Sequence, residues 1–169
     1  MPIDLNVRTT DPDSSHPFVE MAFKLGLTGL AVPYRLETPV VKTKSGITLF
    51  RRTDLTGNSL SAVKKQLRQV RHHSIIIAIS FKNIEISNWA AVDTRVDLLT
   101  FDHLSTENTL RESTARLAAE SDTALEIPIF SLLKTTGLRR SRLVKPIREA
   151  CEIALNTGMK VVLSSGSTR

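Results

Sequence analysis

Residues 123–167, TALEIPIFSLLKTTGLRRSRLVKPIREACEIALNTGMKVVLSSGS, decide how the rest of the chain is read. Ala124-Leu125-Glu126-Ile127 is a short apolar run with strand character, and Lys160-Val161-Val162-Leu163 is a second. Between them a basic segment (Lys134, Arg139, Arg140, Arg142, Lys145, Arg148) leads into an apolar-periodic run to Leu155, stopped by Asn156-Thr157-Gly158. The order is strand, helix, strand. The helix is long enough to carry the chain back, which predicts parallel strands joined by a right-handed crossover. The basic residues are expected in the loop before this helix and in its first turns, with Leu143, Ile147, Ala150, Cys151 and Ala154 facing inward.

The chain before this unit repeats the plan. Ile3 to Val7 alternates apolar and polar and reads as a first strand, followed by turn and cap chemistry at Asp11-Pro12-Asp13-Ser14-Ser15. A helix with Phe18, Met21, Ala22 and Leu25 on one face leads to a second strand over Thr28–Val32. From Arg35 to Asp54 the helical period disappears. Pro39–Lys42 and Ile47–Phe50 read as extended segments around Lys44-Ser45-Gly46, one in the main sheet and the rest a hairpin on its rim. Thr56–Ser59 caps a helix that buries Leu60, Val63, Leu67 and Val70. The continuous apolar run Ser74–Ser80 suits a parallel strand covered on both faces. A short helix with Trp89 follows over Asn83–Ala91, then a strand over Asp97–Thr100 and a helix over Asn108–Glu120 with Leu110, Leu117 and Ala118 inward. This alternation predicts one α/β domain over residues 1–169 with mainly parallel strands. No Gly-x-Gly-x-x-Gly and no Walker motif occurs, so a barrel-like arrangement is expected rather than a nucleotide-binding doubly wound sheet. Closing eight strands usually takes about 200 residues or more, so the expectation is either an incomplete barrel or a sequence that lacks its last unit, with Ser164–Arg169 a loop or tail.

Charge is distributed unevenly. Residues 35–73 hold nine Lys/Arg against two acids, residues 134–148 hold six against none, and residues 83–126 hold three against nine acids. With a net charge of +6, such separation points to a polyanion, nucleic acid first among them. The candidate RNA-binding residues are Lys42, Lys44, Arg51, Arg52, Lys64, Lys65, Arg68, Arg71, Arg139, Arg140, Arg142, Lys145 and Arg148. Aromatic content of 5% offers no stacking platform for single strands, so backbone and shape recognition of folded RNA is expected. No apolar run approaches the roughly 18 residues of a membrane span. Met1-Pro2-Ile3-Asp4 has neither a basic region nor an apolar core, and a cytoplasmic protein is expected. The single cysteine, Cys151, excludes an internal disulfide and reads as a small buried hydrophobe.

Signs of catalysis are thin. Metal-dependent phosphoesterases of the polymerase-and-histidinol-phosphatase type carry His-x-His at the end of the first strand, where two side chains on one face can share a metal. Here those positions hold Asn6 and Arg8, and a guanidinium cannot be a ligand, so no metal site and no catalytic residue are assigned. Asp102 and His103, with Glu126, are the candidates if the chain is instead a divergent phosphoesterase. Glu126 lies between apolar neighbours and needs a partner, for which Arg8 is the candidate inside the barrel mouth. His72-His73 reads as surface.

Asp4-Leu5-Asn6-Val7, the run from Asp97 to His103, Leu125-Glu126-Ile127-Pro128 and Val161-Val162-Leu163-Ser164-Ser165-Gly166 occur in an order that resembles the archaeal and eukaryotic ribonuclease P protein component 3 family. That resemblance covers nearly the whole chain. It implies a TIM-barrel-like fold related to the phosphoesterases but lacking their ligands. It implies a subunit of the ribonucleoprotein that removes the 5′ leader from precursor tRNA, supporting a catalytic RNA that carries the magnesium ions. The implied partners are ribonuclease P RNA, ribonuclease P protein component 2 and the other ribonuclease P proteins, with precursor tRNA met through the holoenzyme and an archaeal setting. Members of the family usually continue past the Ser-Ser-Gly loop, so an open sheet edge is expected between the last strand and the first. A purely protein-binding scaffold is the third reading.

Overall fold

The structure, a computed structural model, describes residues 2–81, 83–101 and 109–168. Its strands and helices alternate as the hydrophobic periods require. Two short strands, β1 (Ile3–Asp4) and β2 (Val7–Arg8), precede helix α1 (Pro12–Lys24), and β3 (Gly29–Val32) follows. β4 (Val40–Lys42) and β5 (Thr48–Leu55) lead to α2 (Leu60–Val70) and a 3-10 turn over Arg71–His73. Then come β6 (Ile76–Ser80), α3 (Ile84–Val92), β7 (Leu98–Thr100), α4 (Glu112–Ser121) and β8 (Ala124–Pro128). The chain ends with α5 (Phe130–Lys134), α6 (Gly137–Thr157), β9 (Val161–Ser164) and β10 (Ser167–Thr168).

The main sheet runs β1-β3-β5-β6-β7-β8-β9, all in parallel, with β4 added antiparallel to β5 as a rim hairpin. Helices pack outside it. Ile77, Ile79, Leu99, Leu125 and Ile127 point outward into the largest core, where they meet Val63, Leu67, Ala115, Ala118, Ala150 and Ala154. Residues of the opposite parity point inward. Ala78, Leu98 and Ala124 pack there with Leu5, Ile76 and Val162 as a small inner core. Strands apolar on both faces explain why β6 reads as a continuous apolar run.

Three expectations change. The first strand is two pieces, because the Asp4 carboxylate accepts the Asn6 N–H at 3.1 Å and bends the chain between β1 and β2. The segment after Ser164 is not a tail: Ser167 and Thr168 pair in parallel with Val7 and Arg8. Ser165 reinforces that seam, its N–H donating to Asp4 Oδ1 at 3.0 Å and its hydroxyl to the Asn6 carbonyl at 3.2 Å. This pair leaves the barrel nearly closed at the C-terminal rim, while below it Leu163 stays 68% exposed on an edge of β9 that has no strand partner among the described residues. Finally, the fourth helix starts at Glu112, leaving Leu110 buried ahead of it.

Candidate nucleic-acid interface

The C-terminal ends of barrel strands are where loop residues gather to make sites. Here that mouth is filled from within. Arg52 on β5 is 1% exposed and reaches across the barrel to Glu126 on β8, three strands away in the sheet. Its two terminal nitrogens donate to Glu126 Oε1 and Oε2, each at 2.6 Å. Nε donates to Asp54 Oδ1 at 3.0 Å and one terminal nitrogen to the Leu5 carbonyl at 2.6 Å. Burial pulls the Glu126 carboxyl upward, but the Arg52 guanidinium overrides it and holds the pKa below the ordinary carboxylate value, with the Thr100 and Ser164 hydroxyls alongside. Burial likewise opposes the charge on Arg52, and Glu126 and Asp54 more than restore it.

This geometry corrects two sequence-based assignments. The partner of Glu126 is Arg52, not Arg8, which donates through Nε to Asn6 Oδ1 at 3.3 Å. Arg52 is also withdrawn as an RNA contact, since its fork is buried and committed to carboxylates. Glu126 is no candidate acid or base for phosphoesterase chemistry for the same reason. Asp102 and His103 lie outside the described residues. Among the described residues no three His, Cys, Asp or Glu side chains come together.

The remaining cations fall into three places. On α6, Arg139, Arg140, Arg142 and Lys145 are exposed and pair with no carboxylate among the described residues, while Arg148 lies 3.5 Å from Glu152. The helix begins at Gly137, so the arginines expected in a preceding loop occupy its first two turns. Gly137, Arg140, Ser141, Val144, Lys145 and Arg148 line a shallow groove along its outer side. Leu143, Ala150 and Ala154 are buried as expected, and Ile147 and Cys151 are half-buried against the main core.

On α2, Ser59 caps the helix by accepting the Ala62 N–H at 3.3 Å, and Val63 and Leu67 are its buried residues. Lys65 and Arg68 project to solvent, but Lys64 turns aside, its Nζ 5.6 Å from the Trp89 ring centroid. Arg71 is half-buried and tied to Asp97 at 3.4 Å and to the Ile75 carbonyl at 3.3 Å. Burial raises the pKa of Asp97 against the opposing pull of the Ile77 N–H and Arg71. Lys42 and Lys44 are exposed at the β4–β5 hairpin, with Arg51 half-buried beside it.

These places do not make one face. α2 packs on α3, α3 on α4, and α4 on α6, so the two basic helices end the arc and the acidic residues 83–126 run between them. Sequence reasoning missed a further gathering at the rim. Arg8 of β2, Lys134 of α5 and Arg139 of α6 line one cleft of about 460 Å³. Only the closing pair β2–β10 brings Arg8 there, and a two-residue strand carries no period to announce it.

A parallel sheet curled into a nearly closed barrel with helices outside, its mouth occupied by an internal ion pair, is a TIM-barrel-like scaffold, and its exposed cations lie on the outer helices and the β4–β5 hairpin. The family model described as RNase P subunit p30 matches residues 1–169, and the chain belongs to that family. Ribonuclease P protein component 3 of Methanosarcina barkeri is 25% identical over 152 residues, covering 87% of this chain and 64% of that protein. Its counterpart from Methanosarcina mazei is 24% identical over 162 residues, covering 91% and 68%. The chain thus spans about two thirds of the length of these curated relatives. The fold matches a chain in a cryo-EM structure of archaeal ribonuclease P with mature tRNA, at a TM-score of 0.77 and 17% identity, over 99% of this chain and 74% of that one.

Proposed function

We propose that the chain is a non-catalytic protein subunit of ribonuclease P, the ribonucleoprotein that removes the 5′ leader from precursor tRNA. Membership of the RNase P subunit p30 family over all 169 residues carries this reading. The component 3 relatives from Methanosarcina and the fold shared with a chain of archaeal ribonuclease P support it and fit an archaeal setting. The partners are ribonuclease P RNA, ribonuclease P protein component 2 and the other ribonuclease P proteins, with precursor tRNA bound by the assembled enzyme. The magnesium ions of the reaction sit on the RNA, and this chain supplies cations without chemistry of its own. No helix among the described residues is long and apolar enough to cross a membrane, and the cytoplasm is the proposed location.

The outer stripe of α6 is the leading RNA contact. Arg139, Arg140 and Arg142 are exposed and lack carboxylate partners among the described residues, so binding phosphates costs them no ion pair. Lys65, Arg68, Lys42 and Lys44 form lesser, separate contacts. The test is cleavage of precursor tRNA by ribonuclease P RNA and component 2 at low magnesium, with and without this chain. Restored cleavage on addition supports the reading; folded chain that leaves cleavage unchanged overturns it.

A further inference from the structure

Along the outer side of α6 two rows of side chains at i, i+4 spacing run side by side, Gly137-Ser141-Lys145 and Arg140-Val144-Arg148, and the shallow groove lies between them. The cations stand at its edges. Arg140 and Arg148 are two turns apart, about 12 Å along the axis, and Lys145 lies across from them. Arg148 shares an exposed 3.5 Å contact with Glu152, and a surface pair of this kind holds a side chain only weakly. Between the cations the groove has two side chains without charge, Ser141 and Val144.

Such a lining sorts what can lie in it. A stacked base needs an aromatic face, and none of the lining residues has one. Gly137 has no side chain and nothing lies within 4 Å of where its Cβ would be, so the groove is open at its N-terminal end and a continuous strand can pass along it. Val144 is exposed, an apolar surface among cations that suits the C–H face of a sugar. Ser141 is exposed too, and its hydroxyl makes one long bond, donated to the Gly137 carbonyl at 3.4 Å. Hydroxyl donors ordinarily bond at about 2.5–3.0 Å, so this group readily exchanges its partner.

We infer that this groove carries one strand of helical RNA along its sugar–phosphate backbone, with phosphates on Arg140, Lys145 and Arg148, a ribose against Val144, and the Ser141 hydroxyl bonded to a ribose 2′-hydroxyl. This rests on RNA being the partner and adds to it a means of choosing RNA over DNA. Phosphate contacts do not tell the two apart, and a 2′-hydroxyl does. In an A-form helix the 2′-hydroxyls line the wide, shallow minor groove, which the side of a helix can meet without reading bases. The cations supply affinity, and Ser141 determines specificity.

A short RNA hairpin stem is titrated into the full chain, followed by fluorescence anisotropy, beside the same stem carrying 2′-fluoro sugars, which keeps the A-form helix and every phosphate but loses the hydroxyls. The RNA stem is expected to bind about three- to tenfold more tightly, the worth of one hydrogen bond. Ser141→Ala lowers affinity for the RNA stem to that for the fluoro stem and leaves the salt slope and melting temperature unchanged, and Ser141→Thr restores the preference. Arg140→Ala with Lys145→Ala weakens both stems alike, makes the slope shallower by about two, and keeps their ratio. A parent chain that binds both stems equally, or a preference that survives Ser141→Ala, overturns the assignment of Ser141 while the RNA reading stands. Unchanged affinity in Arg140→Ala with Lys145→Ala moves the strand off this groove and overturns the inference as well. A folded chain that binds neither stem overturns the RNA reading beneath it.

Discussion

The barrel mouth and the first turns of α6 both take their character from arginine, and they use it in opposite ways. Arg52 is 1% exposed, with its guanidinium shared among Glu126, Asp54 and a backbone carbonyl. Arg139, Arg140 and Arg142 are exposed and lack carboxylate partners among the described residues. The first arginine neutralises a charge the fold has buried; the others hold charge ready for something outside. A buried pair of this kind is not in itself a large source of stability, because desolvating two ions offsets most of their attraction. Its consequence is dependence: neither partner can be lost alone.

The largest effect should therefore come from Arg52→Ala, which strands Glu126 in the barrel. A loss of about 3–5 kcal/mol in urea unfolding is expected. Replacing both, Arg52→Met with Glu126→Leu, should recover most of it. The pH profile tests the same point with a change of sign. In the parent chain the depressed pKa of Glu126 means that its contribution is fully present above the unfolded value, about 4.3, and is lost as pH falls through the folded value. In Arg52→Ala only the Thr100 and Ser164 hydroxyls remain to oppose burial, which raises the pKa, so acidification from neutral towards about pH 4 should stabilise that variant. Parallel pH profiles for the two proteins would break the comparison between mouth and helix.

Half of this contrast was legible in the sequence. A glutamate between Leu125 and Ile127 on an apolar strand announces a buried carboxylate in need of a cation. Which cation it finds depends on strand tilt and on side chains meeting across a barrel, so the sequence pointed to Arg8 where the barrel supplies Arg52. Strand alternation does say that Arg51 and Arg52 face opposite ways, but not which of them faces inward. The parallel alternation itself was plain, because runs such as Ser74–Ser80 need cover on both faces. The seam was not, since Ser167-Thr168 looks like any polar tail until Val7 and Arg8 stand beside it. The start of α6 was expected later, with its first arginines in a preceding loop, whereas the helix begins at Gly137 and carries Pro146 inside it.

The seam offers the next effect in size. Gly166→Ala must hold φ +61 with a side chain and push a Cβ against Pro128. The left-handed backbone costs about 1–2 kcal/mol, and relief of the contact would loosen the pairing of β10 with β2. A fall in urea midpoint, with faster hydrogen exchange at Thr168 than at β6, is the expected result. An unchanged midpoint would mean that the rim closes without help from this turn.

The smallest effect on the fold belongs to the residues that matter most for RNA. Arg139 and Arg140 sit in the first turn of α6, where the positive end of the helix dipole opposes them by about 0.3–1 kcal/mol each. Changing Arg139, Arg140 and Arg142 together to alanine should leave stability unchanged or raise it slightly, the reverse of Arg52→Ala. RNA binding should weaken all the same, and the slope of log affinity against log salt should become shallower by about one per lost phosphate contact, about three in all. The same salt titration on Lys65→Ala with Arg68→Ala ranks α2 against α6, since acidic α3 and α4 keep the two helices from acting as one surface. An unchanged slope in the α6 variant would mean that its charge is only solvated, and the contrast with the barrel mouth would reduce to burial alone.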